Sequence, residues 1–247
     1  MLGAFRRRKQ LIGARGKSLF VELNQFVFKT GKDVLLATFE QLKQTGITGL
    51  ILNKGILKEF YAHLSLDWKI IVQLSAASKH GLPYYNRTLI CTVAEALRLG
   101  ADAVSVQLIL GNDLEDKMLQ DLSLVVDDAH QLGIPVLVDL RPQGGQIVNE
   151  FDRGLLDYCL GMGVEWGADL IAINIGKKDT ASNFMANCPV PLLVKFSHKN
   201  LDYCYNFIQK NAPDQWEGIC LTDVLLEQDS WSEDLAKLKS KLERRRG

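Results

Sequence analysis

The chain has 247 residues, 47% of them hydrophobic and 23% charged, with lysine plus arginine equal to aspartate plus glutamate at 29 each. That is the composition of a globular chain, and the balanced charge supplies no overall field for nucleic acid. Without an apolar run of roughly 18 residues, it offers no helical membrane span.

Eight short apolar runs follow one another along the chain: Leu19–Leu23, Gly49–Leu52, Lys69–Leu74, Ala103–Leu108, Pro135–Leu140, Leu170–Ile175, Pro191–Phe196 and Gly218–Leu221. They are rich in Val, Ile and Leu with little alternation, the pattern of strands covered on both faces in a parallel sheet. Helix-length amphipathic segments lie between them, at Asp33–Thr45, Cys91–Leu99, Leu114–Leu132, Asn149–Trp166 and Leu201–Asn211, and Trp231–Arg245 forms a last one. Gly46, Gly100, Gly133 and Gly167 each stand where a helix should stop, a place that favours a residue without Cβ. Strand and helix alternating eight times predict an α/β fold, a single (β/α)8 TIM barrel over residues 1–247, although an open doubly wound sheet shares the local pattern.

Gly-Ala-Asp precedes a strand twice, at 100–102 and 167–169, and reads as a structural device of α/β units. Cys91, Cys159, Cys188, Cys204 and Cys220 are well separated and contain no CxxC pair. They suggest neither a disulfide framework nor a zinc site, and point to a reducing cytoplasm. The start, MLGAFRRRKQ, lacks the apolar core of a secretory signal. Its basic run Arg6–Lys9 and the closing Arg244–Arg246 read as solvated ends or anion-binding patches.

The segment from Thr92 to Leu122, TVAEALRLGADAVSVQLILGNDLEDKMLQDL, resembles the middle of the DeoC/FbaB aldolases. QLSAAS at Gln73–Ser78, GIPVLVD at Gly133–Asp139 and EWGADLI at Glu165–Ile171 follow in matching order. That family includes archaeal-type fructose-bisphosphate aldolases and aminodideoxyheptulosonate synthases, and the resemblance implies a class I, Schiff-base chemistry. The family's own site residues do not follow. Ala172 stands where the resemblance puts the Schiff-base lysine, and VELNQF offers Asn24 and Gln25 where an acid is expected after the first strand. Arg141-Pro142-Gln143-Gly144 replaces a tyrosine-bearing segment. Phe196-Ser197-His198 and Thr222-Asp223-Val224 replace glycine-bearing phosphate turns. A phosphorylated sugar substrate is therefore doubtful, because phosphate needs the close backbone approach that glycine permits.

Barrel sites lie at the C-terminal ends of the strands. The candidates there are Asn24, Asn53, Lys54, Gln73, Ser75, Gln107, Asp139, Arg141, Asn174, Lys195, Ser197, Thr222 and Asp223. Asp139 and Arg141, two apart on one strand, should share a face and pair. Lys195, in PLLVKFS, is the candidate active lysine, because desolvation can lower a lysine pKa and make it nucleophilic, and Asp139 is a second candidate catalytic residue. Deoxyribose-phosphate aldolases, distant relatives by this resemblance, carry an auxiliary lysine in a similar strand. His80 and His198 lie in loops near the mouth, and Lys177-Lys178 could make it basic.

Three readings stay open. One is a pseudoenzyme whose old pocket is filled by mutually satisfied polar groups or binds a small polar or anionic ligand. Another is a carbon–carbon lyase that uses Lys195 on a non-phosphorylated carbonyl compound. A third is an assembly component with a protein partner, since the resemblance implies a homo-oligomer. No cofactor or metal is expected. An open pocket with an unpaired Lys195 would favour the enzyme, and closure by Phe26, Tyr84 or Phe196 would favour the scaffold.

Overall fold

The computed structural model describes residues 2–12, 17–24, 26–78, 80–176 and 187–244, with the side chains of 26–29 left aside. Gln25, Lys177-Lys178, Arg245, Arg246 and the side chain of Phe26 therefore lie outside the described residues. Eight parallel strands close into a barrel: β1 Ser18–Glu22, β2 Gly49–Asn53, β3 Lys69–Gln73, β4 Ala103–Leu110, β5 Val136–Pro142, β6 Leu170–Asn174, β7 Leu192–Phe196 and β8 Gly218–Thr222. Closure comes from β1 pairing with β8, Ser18 opposite Gly218 and Glu22 opposite Thr222. All eight strands fall where the apolar runs predict them.

Among the described residues the helices are α1 Leu2–Leu11, α2 Phe26–Lys43, α3 Lys54–Phe60, α4 Val93–Arg98, α5 Glu115–Leu132, α6 Arg153–Glu165, α7 Asp202–Lys210 and α8 Trp231–Glu243. α2 begins earlier than its amphipathic period suggests and is interrupted by Gly31, whose backbone is not helical. The predicted closing glycines Gly46, Gly100, Gly133 and Gly167 all have positive φ. Gly133 shows why: at φ 69° it ends α5, its N–H reaching back to the His130 carbonyl, in a conformation that costs residues with a Cβ.

The Gly-Ala-Asp motif is structural, as read from the sequence. Asp102 Oδ2 accepts the Ile70 N–H at 2.9 Å, and Asp169 Oδ2 accepts the Val136 N–H at 3.0 Å. Each carboxylate ties the start of its own strand to the preceding one. His130 Nε2 lies 3.0 Å from the same Asp169 oxygen, which gives that helix histidine a local partner.

Side chains inside the barrel alternate along each strand, and their character changes with height. Phe20, Ile51, Ile71, Ala103, Leu137, Leu170, Ala172, Leu193 and Cys220 form an inner apolar floor. One step further along the same faces stand Glu22, Asn53, Gln73, Ser105, Asp139, Asn174, Lys195 and Thr222. The polar layer thus sits at the C-terminal mouth, supported from below by packed hydrocarbon.

The basic N-terminal run lies on a docked helix, with Arg6 and Lys9 exposed as expected of a solvated end and Arg7 and Arg8 half-buried. The end of α1 sends Leu11, and the next residue Ile12, into the inner cluster, and Ser18 Oγ donates to the Leu11 carbonyl at 2.6 Å. Arg7 donates to the Gly133 carbonyl, and Gly3 lies so near Gly133 that an added Cβ would sit 3.0 Å from its oxygen. Arg7, held by backbone on a helix that stoppers the barrel, is part of the fold. Leu11→Ala is expected to lower stability by about 2–5 kcal/mol through the cavity it leaves, whereas Leu2→Ala, at an exposed position, should change it by no more than about 0.5 kcal/mol. Urea denaturation of both variants checks this.

Candidate functional site

The polar layer is organised around Lys195. Its ammonium lies 2.8 Å from Asp139 Oδ2 and forms an ion pair with Glu22, so β1, β5 and β7 meet on one charge. All three side chains are buried, with Lys195 only 1% exposed. Asp139 Oδ2 also accepts from Gln107 Nε2 at 3.2 Å, and Arg141 Nη2 stands 3.6 Å away. Gln107 in turn takes the Arg87 Nε–H on its oxygen at 2.7 Å. Asn24 Nδ2 donates to Glu22 Oε1 at 2.8 Å. The result is one connected network running from Asn24 to Arg87.

Burial alone would push the Lys195 pKa down, and it is the largest influence on the group. The charges of Asp139 and Glu22 together outweigh it and hold the pKa above the ordinary lysine value. The same balance acts on Asp139: burial raises its pKa, but Lys195 and Arg141 leave it below the ordinary aspartate value. Lys195 is therefore an ammonium near neutrality. The desolvation that was expected to free its lone pair is overcome by two carboxylates, one of which the sequence reading had not counted.

That one is Glu22. The acid expected after the first strand stands inside it, two positions from the inward-facing Phe20 and thus on the same face. Strand alternation was a sufficient signal for its direction. Arg87, also missed, comes from the long connection after β3, where the short strands Ser75–Ala76 and Thr88–Leu89 pair antiparallel. No local sequence period marks it.

Above the network lies a cavity of about 420 Å³, whose walls include Asn24, Asn53, Ser75, Gln107, Arg141, Ser197, Thr222 and Asp223, with Glu22 at the floor and Arg87 on one side. Other candidates are spent internally. Gln73 is buried and donates to Ser75 Oγ at 3.0 Å and the Ser105 carbonyl at 3.3 Å. Asn174 Oδ1 accepts the Gly176 N–H, and Lys54 pairs with Glu95 at 3.0 Å. His198 stacks on Tyr203, and His80 is not among the lining residues. Phe196 packs outward on Phe207, while Tyr84 is exposed against Tyr85, so neither closes the mouth. The pocket is open and its lysine is paired, a combination that neither simple expectation had described.

A second cavity, about 490 Å³, lies beside Tyr85, Gly111, Asp113 and Gln146. It is larger, but its polar groups serve the loops: Tyr85 donates to Asp113, and Glu115 accepts the Gly111 N–H at 2.6 Å. The barrel mouth differs in leaving buried polar atoms without partners among the described residues: Asn24 Oδ1, Asn53 Oδ1, Asp139 Oδ1, Arg141 Nε and Thr222 Oγ1. Buried polar atoms are normally satisfied, and four of these orphans, those of Asn24, Asn53, Arg141 and Thr222, belong to residues that line the one cavity and mark a place for a polar occupant. Among the described residues, no three His, Cys, Asp or Glu side chains are grouped to hold a metal ion. No described helix is long and apolar enough to cross a membrane.

Residues 28–197 match the model of the DeoC/LacD family aldolases. The chain belongs to that family. A 2-amino-4,5-dihydroxy-6-oxo-7-(phosphonooxy)heptanoate synthase from Streptomyces griseus is 31% identical over 159 residues, which cover 62% of this chain and 57% of that enzyme. The chain thus spans a little over half the length of this relative. A 2-amino-3,7-dideoxy-D-threo-hept-6-ulosonate synthase from Archaeoglobus fulgidus is 25% identical over 82% of this chain and 76% of its own length. Among solved structures, an archaeal fructose-1,6-bisphosphate aldolase, seen with its catalytic lysine bound to the carbinolamine intermediate, superposes with a TM-score of 0.84. It covers 96% of this chain and 98% of its own at 19% identity, a likeness of fold. In this member of the family, Ala172 on β6 is buried in the inner floor, beside Asp139 on β5 and Leu193 on β7 in the strand register.

Lys195→Met leaves two buried carboxylates without their cation and is expected to cost about 3–5 kcal/mol of stability, measured by urea denaturation. The depressed Asp139 pKa favours the fold at pH values above the ordinary aspartate value of about 3.9. That contribution is lost as the pH falls through the depressed value. In Asp139→Asn the acid limb of stability against pH should be correspondingly flatter, a comparison made by denaturation from pH 6 to pH 2, each an experimental setting of about that value.

Proposed function

We propose that this chain is an aldolase-family barrel that has given up Schiff-base chemistry and uses its mouth to bind a small anionic ligand, as a pseudoenzyme subunit. The observation that carries the reading is the pairing of Lys195 with both Glu22 and Asp139. An amine attacks a carbonyl through its lone pair, and an ammonium shared by two carboxylates has none to offer. Ala172, beside Asp139 in the strand register, has no amine. The named relatives are synthases and aldolases, and the proposal separates this chain from them on the state of these two positions.

Binding is supported by the open cavity and by what its walls leave unsatisfied. Arg87 and Arg141 bring two guanidinium groups to one side, where they attract an anion and can hold it by paired hydrogen bonds. Asn24, Gln107, Arg141 and Ser197 are assigned to ligand contact. Asp139 and Lys195 are assigned to positioning those contacts from below, with Gln73 and Asn174 supporting the strand ends around them. The reading includes a homo-oligomer in the cytoplasm, the five free thiols suiting a reducing compartment.

Borohydride treatment in the presence of small aldehydes, ketones and keto acids tests the loss of Schiff-base chemistry. The intact protein mass is expected to stay unchanged. An adduct that appears in the parent chain and vanishes in Lys195→Ala would overturn the reading. Small anions added to the folded protein should raise its melting temperature, and Arg141→Gln should remove most of that rise.

A further inference from the structure

We infer that the ligand of the mouth is a small hydroxycarboxylate, a sugar acid in class, with its carboxylate on Arg87 and Arg141 and its hydroxyls directed at Asn24, Asn53 and Thr222. The inference rests on the anion-binding reading above and names the chemistry of its ligand.

The cavity wall has two unlike sides. On one, Arg141 Nε is buried without an acceptor, and its guanidinium meets Asp139 only at 3.6 Å through Nη2. Arg87 spends Nε on Gln107 and Nη1 on the Tyr84 and Asn86 carbonyls, at 3.1 and 2.9 Å, and forms no ion pair among the described residues. Its pKa is lowered by burial first and by the charge of Arg141 second, so the two cations are close enough to repel. A carboxylate between them relieves that repulsion and supplies the acceptor Arg141 lacks.

The other side needs donors. Asn24 has its amide orientation fixed, because Nδ2 donates to Glu22, and its Oδ1 is left as a buried acceptor. Asn53 Oδ1 is a buried acceptor of the same kind. Thr222 Oγ1 is a further unpartnered hydroxyl that can take either role. Hydroxyl groups on the ligand satisfy these atoms, whereas a plain fatty acid would leave them desolvated and unpaired.

Charge separates a carboxylate from a phosphate. Arg87, Arg141 and Lys195 face Glu22, Asp139 and Asp223 around the mouth, so the ionised groups balance. A singly charged carboxylate on the arginine side is tolerated by that balance. A phosphate dianion adds repulsion from three carboxylates, and the turns after β7 and β8 present Ser197 and Asp223 to the cavity where glycine would admit a phosphate to the backbone.

Titration calorimetry of the full chain with D-gluconate and L-threonate tests this against butyrate, threitol and glycerol phosphate. At least one hydroxy acid is expected to bind about tenfold or more tightly than each of the three controls, which corresponds to about 1.4 kcal/mol. Arg141→Gln should weaken that binding about tenfold or more, and Arg87→Gln, in the loop and outside the buried ion pair, gives the same readout if Arg141→Gln fails to fold. Asn24→Ala should weaken the hydroxy acids while leaving butyrate unchanged. Butyrate or glycerol phosphate binding as tightly as both hydroxy acids, with the same arginine dependence, overturns the hydroxycarboxylate inference and leaves the anion site standing. Binding of no anion in the panel overturns both.

Discussion

The ammonium of Lys195 between Glu22 and Asp139 is the constraint on which the mouth of this barrel depends. A charge moved from water into packed protein is stable only where partners replace its hydration. Here those partners come from β1 and β5, on either side of β7 in the closed sheet, so the strand tops are held in a common geometry. The consequences propagate outward. Asp139 fixes Gln107, Gln107 fixes Arg87, and Glu22 fixes the amide of Asn24. Asn24, Gln107 and Arg87 on the cavity wall are thereby each held by a neighbour in the network.

The same interaction sets the chemical character of the site. A buried lysine with no carboxylate nearby is a candidate nucleophile; with two it is a structural cation. Burial alone would favour the neutral amine, and two carboxylates beside it favour the charged form. The apolar floor beneath it strengthens the effect, since it keeps water from competing for the ion pairs from below.

At the opposite end of the barrel, α1 performs a complementary task. Leu11 and Ile12 complete the inner core, so the barrel is packed from its lower end up to the polar layer. An interior that is hydrocarbon below and ionic above has one side chain order along every strand. That order is the alternation of the strands read twice, first at the floor and then two residues later at the mouth.

Much of this was legible in the sequence. The eight strands, the terminating glycines and the strand-tying Asp102 and Asp169 follow from local rules: continuous apolar runs, the steric freedom of glycine, and the reach of a short carboxylate to the next backbone. The pairing of Asp139 with Arg141 followed from strand periodicity, and the family resemblance identified Ala172 and Lys195 as the positions to watch. Periodicity also points Glu22 inward, two residues on from Phe20. What the sequence could not determine was partnership. Residues 22, 139 and 195 lie far apart along the chain, and only barrel closure brings β1, β5 and β7 close enough for their charges to meet. Arg87 reaches the mouth from an irregular connection without a repeat of its own, and α1 became part of the core only by docking against a floor built from distant strands. Local sequence sets each side chain's type and face; the sign of a buried lysine's pKa shift depends on which charges share its cavity, and that is a property of the assembled barrel.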